Sequence, residues 1–340
     1  LSDAWSRLTA APGYDPGARL LSVEDLHVEF GRPGAAVTVL SGVTYAVNAG
    51  ETLAVLGESG CGKSVTARAI MGLVRPPKGR IVSGAVRMHG VDLLSLSAET
   101  RRRLRASTVA MVFQDALSAL NPVLTVGHQI AELFRVHEGV SRRAARRSAV
   151  EVLEMVRIPA ARERAGDYPH QFSGGMRQRV GIAMAIALRP KVIIADEPTT
   201  ALDVTVQAQI ITLLGELQRE HGTALVLISH DMGVVADIAD RVAVMYAGRV
   251  VEQASADDVY ARPRHPYTEA MLGAVPRPEQ RGRPLAVIPG SPPDLSVPDA
   301  GCRFRPRCGY GGAACERAPR LLAAGAERFS ACHEWERVGQ

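Results

Sequence analysis

The sequence predicts an α/β fold with a parallel sheet and a phosphate-binding loop at the carboxyl end of one strand. Three observations predict it. Gly57–Ser64 reads GESGCGKS, which fits the pattern of Gly, four residues, Gly, Lys, then Ser or Thr. An apolar run, Leu53–Leu56, precedes this stretch and a helix-compatible run, Val65 to Leu73, follows it. Further apolar, strand-like runs recur at Val109–Phe113, Val192–Ala195 and Leu225–Ser229, each ending in a conspicuous polar residue.

The loop's residue types suit an anion. Gly57, Gly60 and Gly62 let backbone N–H groups close around a phosphate where a Cβ would block the approach. Glu58, Ser59 and Cys61 complete the same cradle, Cys61 as a small filler. The helix that starts near Lys63 adds its positive dipole end. Lys63 then reaches the β- and γ-phosphates, and the Ser64 hydroxyl holds Mg²⁺. Nucleotide binding is therefore the first expectation.

Composition narrows the class. Three hundred and forty residues suggest about two domains, and 46% hydrophobic residues allow a sizeable core. The apolar runs fall far short of the roughly 18 residues that span a bilayer. Leu1–Gly17 has no apolar core and carries Pro12 and Pro16, so no secretory leader is expected and a cytosolic chain is. Net charge is +5, and lysine occurs only at 63, 78 and 191, the other 37 of the 40 basic residues being arginine. A position that merely needed charge would be arginine here, which sharpens the reading of Lys63. The arginines at 101–103 and at 142, 143, 146 and 147 read as solvated helix faces.

In order along the chain, residues 1–20 read as a loose polar arm. Alternation in LSVEDLHVEF predicts a strand from Leu21, followed by a Gly-Arg-Pro-Gly turn at 31–34. Val37–Leu40 and Gly42–Val47 predict two further short strands, and Ile81 to Met88 another after the loop. From Asp115 to about Leu188 helical spacing takes over. Ser141–Val156 has a cap serine and places Ala149, Val152 and Val156 on one face. Ser173, Gly174 and Gly175 stand just before another helix, a second anion-receptive start.

The strand ends carry the chemistry. Val109–Phe113 ends at Gln114, Val192–Ala195 at Asp196 and Glu197, and Leu225–Ser229 at His230. In a parallel α/β sheet ligands sit beyond the carboxyl ends of the strands. An amide, two carboxylates and an imidazole are thus expected beside the phosphate loop.

Phosphate loop, Gln114, FSGGM at 172–176, VIIADE at 192–197, ALD at 201–203 and His230 together resemble an ABC-transporter ATP-binding subunit across residues 21–262. FQDALSALNPVLTVGHQI (113–130), DEPTTALDVTVQAQI (196–210) and RHPYTEAML (264–272) resemble, more narrowly, the ATPases of dipeptide/oligopeptide importers, whose relatives include nickel importers. The resemblance implies a P-loop NTPase: a RecA-like core, an antiparallel β subdomain, a helical subdomain at about 115–188, and a small Cys-rich C-terminal extension at 263–340. It implies that Phe30 stacks on adenine and that Gly57–Ser64 holds the triphosphate of ATP with Mg²⁺. Gln114 touches the metal and the attacking water, Asp196 holds Mg²⁺ through water, and Glu197 polarises the attacking water. His230 contacts the γ-phosphate. Asp203 acts across a dimer interface, and Ser173, Gly174 and Gly175 meet the nucleotide of a partner subunit. Met176 stands where most ABC proteins have Gln. The implied partners are two transmembrane permease subunits, a second ABC ATPase (a paralogue or a second copy) and an extracytoplasmic peptide-binding protein. The implied place is peripheral, at the cytoplasmic face of the inner membrane. Nickel or another small solute is the alternative cargo. A nucleic-acid ABC ATPase is the rival class, and no nucleic-acid partner is expected. The interval from Ser64 to Ser173 is too short for coiled-coil arms, and the chain carries a single cassette.

Beyond about Ala261 prolines at 276, 278, 284, 289, 292, 293 and 298 predict an extended connector. Cys302, Cys308, Cys315 and Cys332 follow. Disulfides do not suit a reducing cytosol, and clustering within 31 residues (302 to 332) is too tight to favour four unrelated buried thiols, so a metal centre is the expectation. No Cys-x-x-Cys pair of the zinc-ribbon kind is present, and the loose gaps suit an iron–sulfur cluster at least as well. The resemblance implies a [4Fe–4S] cluster on these four cysteines, with Zn²⁺ the alternative and His333 a spare ligand.

Overall fold

The computed structural model describes residues 3–32, 34–115, 119–200, 202–275, 286–297 and 301–339. In chain order its strands are Leu21–Phe30 (β1), Val37–Val47 (β2), Thr52–Leu56 (β3), Gly79–Met88 (β4), Val91–Asp92 (β5) and Val109–Val112 (β6). Then come Val192–Asp196 (β7), Ala224–Ser229 (β8), Arg241–Tyr246 (β9), Arg249–Ser255 (β10), Leu322–Gly325 (β11) and Arg328–Ser330 (β12). The chain divides into two units, one of residues 1–21, 47–51 and 87–228, the other of residues 22–46, 52–86 and 229–340.

In the first unit β6, β7 and β8 pair in parallel, with Val109 opposite Val192 and Val192 opposite Ala224. Every residue of the three strands is buried, which is why they read as continuous apolar runs rather than alternating ones. The helices Val126–Glu138, Arg142–Met155 and Gly174–Ile186 supply the helical segment that the spacing predicts. Ser141 caps the second of these, accepting the Ala144 N–H at 3.3 Å. Ala145, Ala149, Val152 and Leu153 form its buried face, while Arg142, Arg143, Arg146 and Arg147 are exposed.

The N-terminal arm differs from the expectation of a loose segment. Asp3–Thr9 is a helix, and Leu8 is buried. The Trp5 ring stands edge-on to His89 with centroids 5.8 Å apart, and the Lys191 ammonium lies 5.5 Å from the Trp5 centroid. Seven residues are too few for periodicity to register, so packing of Trp5 and Leu8 decides the conformation.

In the second unit β2, β1 and β4 lie side by side in that order. Val37–Val47 is one strand where two were expected. Leu40, Val43 and Tyr45 are buried on both sides of Gly42, so core packing carries the strand through the glycine. Separately, β3 runs parallel to β9 with Leu53 opposite Arg241, and β9 turns back antiparallel into β10. β12 pairs with β10, and β11 with β12. The C-terminal extension therefore continues a sheet. Its rings join those of β9: Tyr246 lies 4.6 Å from Tyr267 and 5.2 Å from Phe304, centroid to centroid. Of the expected connector, Pro276, Pro278, Pro284 and Pro298 lie outside the described residues. Pro289, Pro292 and Pro293 lie in chain without regular secondary structure.

Glu252, on β10, is 1% exposed. Its Oε1 accepts the Arg264 N–H at 2.7 Å, and an Arg328 nitrogen lies 3.9 Å away. Burial outweighs both and pushes the carboxyl up to about 7. An acid whose folded pKa is raised contributes stability that is complete below its unfolded pKa and is lost as pH rises through the folded value. Glu252→Gln should thus gain on the wild type by up to about 3 kcal/mol between pH 4.5 and pH 8. Denaturant unfolding of both proteins across that range checks this, and a pH-independent difference would contradict it.

Candidate active site

The phosphate loop leaves β3 at Gly57, whose φ is 153°. A Cβ there would collide with the Met245 carbonyl and lie 2.7 Å from the Cys61 sulfur, so only glycine fits. Cys61 is buried against this turn, the filler role its size suggests, and burial raises its thiol pKa. Lys63 is 4% exposed, and its ammonium donates to the carbonyls of Gly57 at 2.7 Å and Glu58 at 3.0 Å. The helix Lys63–Ile70 starts at Gly62 with no side-chain cap and no acidic residue in its first turn. Its positive end therefore keeps its pull on an anion. Ser64 is half-buried on that first turn, while Ser59 and Gly60 are exposed. Phe30 closes β1 half-buried, its ring against Gly79, where a Cβ would come within 2.8 Å of it. His230 is exposed just after β8, and Asp231 behind it caps the helix Met232–Ala236 through the Gly233 and Val234 N–H groups.

In the first unit Asp196 ends β7 at 4% exposure. Glu197 follows with φ at 46°, a left-handed conformation that costs an ordinary residue of order 1–3 kcal/mol and concentrates at functional sites. The turn is held by the Glu197 N–H, which donates to the Ile228 carbonyl at 2.9 Å. Glu197 Oε2 accepts from Gln114 Nε2 at 3.2 Å and from the Thr200 hydroxyl at 3.0 Å. Gln114 and Glu197, singled out separately in the sequence, thus meet. Thr200 was not foreseen, its only signal being its place three residues after the carboxylate.

Ser173 caps the helix Gly174–Ile186, accepting the Met176 N–H at 3.4 Å. Asp203 caps Val204–His221 through the Val206 N–H at 2.9 Å. Gly175 is small because of Val206: a Cβ would lie 2.7 Å from its Cγ1. Ser173 and Gly174 are exposed, so this helix start faces solvent.

The comparisons decide the family. The ABC transporter family matches residues 40–200, and the oligopeptide/dipeptide transporter C-terminal region matches residues 251–315. The oligopeptide transport ATP-binding protein OppD of Salmonella typhimurium is 49% identical over 324 residues, 95% of this chain and 96% of that protein. The chain belongs to the dipeptide/oligopeptide ABC-transporter ATP-binding family. The dipeptide transport ATP-binding protein DppD of Bacillus subtilis is 48% identical to this family member over 88% of the chain and 89% of the relative. Among solved structures, the dimeric ATP-binding cassette MJ0796 in a post-hydrolysis state with ADP and Pi aligns with a TM-score of 0.62. It is 27% identical and covers 69% of this chain and 98% of that one. CbiO1 of Clostridium perfringens aligns at 0.61 with 28% identity, over 72% of this chain and 91% of the other.

One expectation for this ABC ATP-binding chain is corrected. Among the described residues, which include Cys302, Cys308, Cys315 and Cys332, no group of three or more His, Cys, Asp or Glu side chains is placed to hold a metal ion. Neither the iron–sulfur cluster nor the zinc alternative stands. All four are free cysteines. Burial raises the thiols of Cys302 and Cys308 and pushes Cys332 up to about 12. His333 turns its Nε2 to the Arg317 carbonyl at 3.1 Å. Among the described residues no helix is long and apolar enough to cross a membrane.

Gly57→Ala should lower stability by about 2 kcal/mol or more, combining a forced clash with an unfavourable φ. Thermal unfolding beside the wild type measures it; an unchanged transition would show that the turn has room to yield.

Proposed function

We propose that this chain is the ATP-hydrolysing subunit of an importer of dipeptides and oligopeptides. It works at the cytoplasmic face of the membrane with two transmembrane permease subunits, an extracytoplasmic peptide-binding protein and a second ATP-binding subunit. The observation that carries the hydrolytic part is Glu197, a carboxylate set by a strained turn at a strand end and held by Gln114 and Thr200. The C-terminal-region match at residues 251–315 and the peptide-transport relatives support peptides as cargo. No feature of the chain favours nickel over them.

Phosphoryl transfer asks a protein chiefly for positioning and charge stabilisation. Lys63 exchanges its two loop carbonyls for phosphate oxygens, and the loop N–H groups from Gly57 to Ser64 take the rest of the triphosphate. Phe30 offers the adenine a ring face. Glu197 orients the attacking water and receives its proton; its two donors fix the carboxylate's direction, so no rotamer search precedes the step. His230 steadies the γ-phosphate. The hydroxyl of Ser64, the amide oxygen of Gln114 and the buried carboxylate of Asp196 are hard oxygen donors, and they suit Mg²⁺. Once bound, Mg²⁺ supplies charge neutralisation on the phosphates. Ser173, Gly174, Gly175 and Asp203, at two helix starts, serve the nucleotide of the partner subunit as the two cassettes close over ATP.

Glu197→Gln should bind ATP near normally but hydrolyse it at a hundredth of the wild-type rate or less, in keeping with the about 10²–10⁴-fold share of a positioned base. Phosphate release in the assembled transporter, set beside equilibrium ATP binding, separates the two effects. Turnover near that of the wild type would remove Glu197 from this role.

A further inference from the structure

Glu58 is the second residue of the phosphate loop, and both its main chain and its side chain are held by segments far along the sequence. Its N–H donates to the Tyr267 hydroxyl at 2.7 Å. Its carboxylate takes both ends of the Arg307 guanidinium, Nη1 to Oε2 at 2.8 Å and Nη2 to Oε1 at 3.0 Å. This is the two-pronged geometry that arginine forms with carboxylates and lysine cannot. Arg307 is set rigidly behind it. Its side chain is 5% exposed against 26% for Glu58. Its Nε donates to the Pro289 carbonyl at 2.8 Å, and Nη1 also reaches the Tyr246 hydroxyl at 3.3 Å. The guanidinium carbon lies 5.8 Å and 5.9 Å from the ring centroids of Tyr246 and Phe304, within cation–π range.

This arrangement has an electrostatic consequence. A carboxylate inside a loop that receives a triphosphate is the wrong charge in that place. Left alone, Glu58 would offset the attraction supplied by Lys63, the loop's own cation. Arg307 cancels that charge and holds the carboxylate in one direction through both oxygens. Tyr267, fully buried and neutral as a phenol, fixes the same residue's main chain without adding charge.

We infer that Arg307 and Tyr267, both in the C-terminal extension, are positioning residues for nucleotide, and that the extension sets the ATP affinity of the phosphate loop by neutralising and anchoring Glu58. The inference rests on the ATP reading above. It gives the extension a role in the nucleotide site of its own chain. Any event that shifts the Phe304–Arg307 segment would be felt as a change in ATP binding.

The test is ATP affinity of the full-length protein, from competition against a fluorescent ATP analogue at several ionic strengths. Arg307→Gln should raise Kd about fivefold or more at low salt, since a nearby uncompensated like charge costs roughly that much in a partly solvated site. The gap should narrow as salt screens it. The double variant Glu58→Gln/Arg307→Gln removes both charges and should return to within about twofold of the wild type, which loss of packing alone would not do. Arg307→Lys keeps the cation but loses the fork, and should weaken binding by about threefold; it carries the test if Arg307→Gln does not fold. Wild-type affinity in the single variants, or a double variant as weak as Arg307→Gln, would overturn the inference. Failure of the wild-type chain itself to bind ATP would overturn the nucleotide reading, and this inference with it.

Discussion

Taking a lysine ammonium out of water is costly unless oxygen atoms replace the lost solvent, and the second unit depends on how Lys63 meets that demand. The loop folds back so that the Gly57 and Glu58 carbonyls point at the ammonium. Turning those carbonyls inward requires the backbone at Gly57 to pass where a side chain cannot go. The same turn leaves the Glu58 N–H for Tyr267 and the Glu58 carboxylate for Arg307. One buried charge thus specifies the turn, the turn specifies the next residue's contacts, and those contacts recruit the aromatic cluster of Tyr246, Tyr267 and Phe304. The fold of this loop and the docking of the C-terminal extension are two faces of one local solution.

The first unit reaches a comparable end by a different route. Its strands are buried along their whole length, so polar residues can appear only where a strand stops. Asp196 and Glu197 stand at such a stop, and there the chain takes a positive φ at a glutamate. Strain of that size persists only where neighbours over-determine it. The hydrogen bond to Ile228 and the two donors on the carboxylate supply that determination. At Ser173 and Asp203 the side chain caps its own helix, so each helix start is ordered before any ligand arrives.

Much of this was legible in the sequence, for identifiable reasons. The buried strands announce themselves as apolar runs, and their ends mark Gln114, Asp196, Glu197 and His230 with no need of tertiary information. The phosphate loop is legible because its glycines answer local geometry. Contacts between distant segments were not. Thr200 reads as an ordinary threonine until Glu197 turns back onto it, and nothing near Arg307 in the chain points to Glu58, 249 positions away. The cysteines misled for a related reason. Spacing says which residues are available together, but where their side chains stand relative to one another comes from the packed fold. The N-terminal helix was missed because Trp5 and Leu8 find their partners only in tertiary packing.

Basic residue usage ties these points together. With 37 arginines to three lysines, this chain supplies positive charge as arginine almost everywhere, and its exposed arginine faces need no geometry. Lys63 is one of the three exceptions, and its surroundings account for it. A compact ammonium on a flexible stem meets the two inward-turned carbonyls of Gly57 and Glu58 without needing the fixed donor plane of a guanidinium. At 307 the requirement is the reverse: two fixed donors must meet two carboxylate oxygens while the flat face lies near aromatic rings. Glu58 sits between these two cations, its carbonyl on one and its carboxylate on the other. The choice of cation at each end therefore matches a compact ammonium to two loop carbonyls and a fixed fork to a carboxylate.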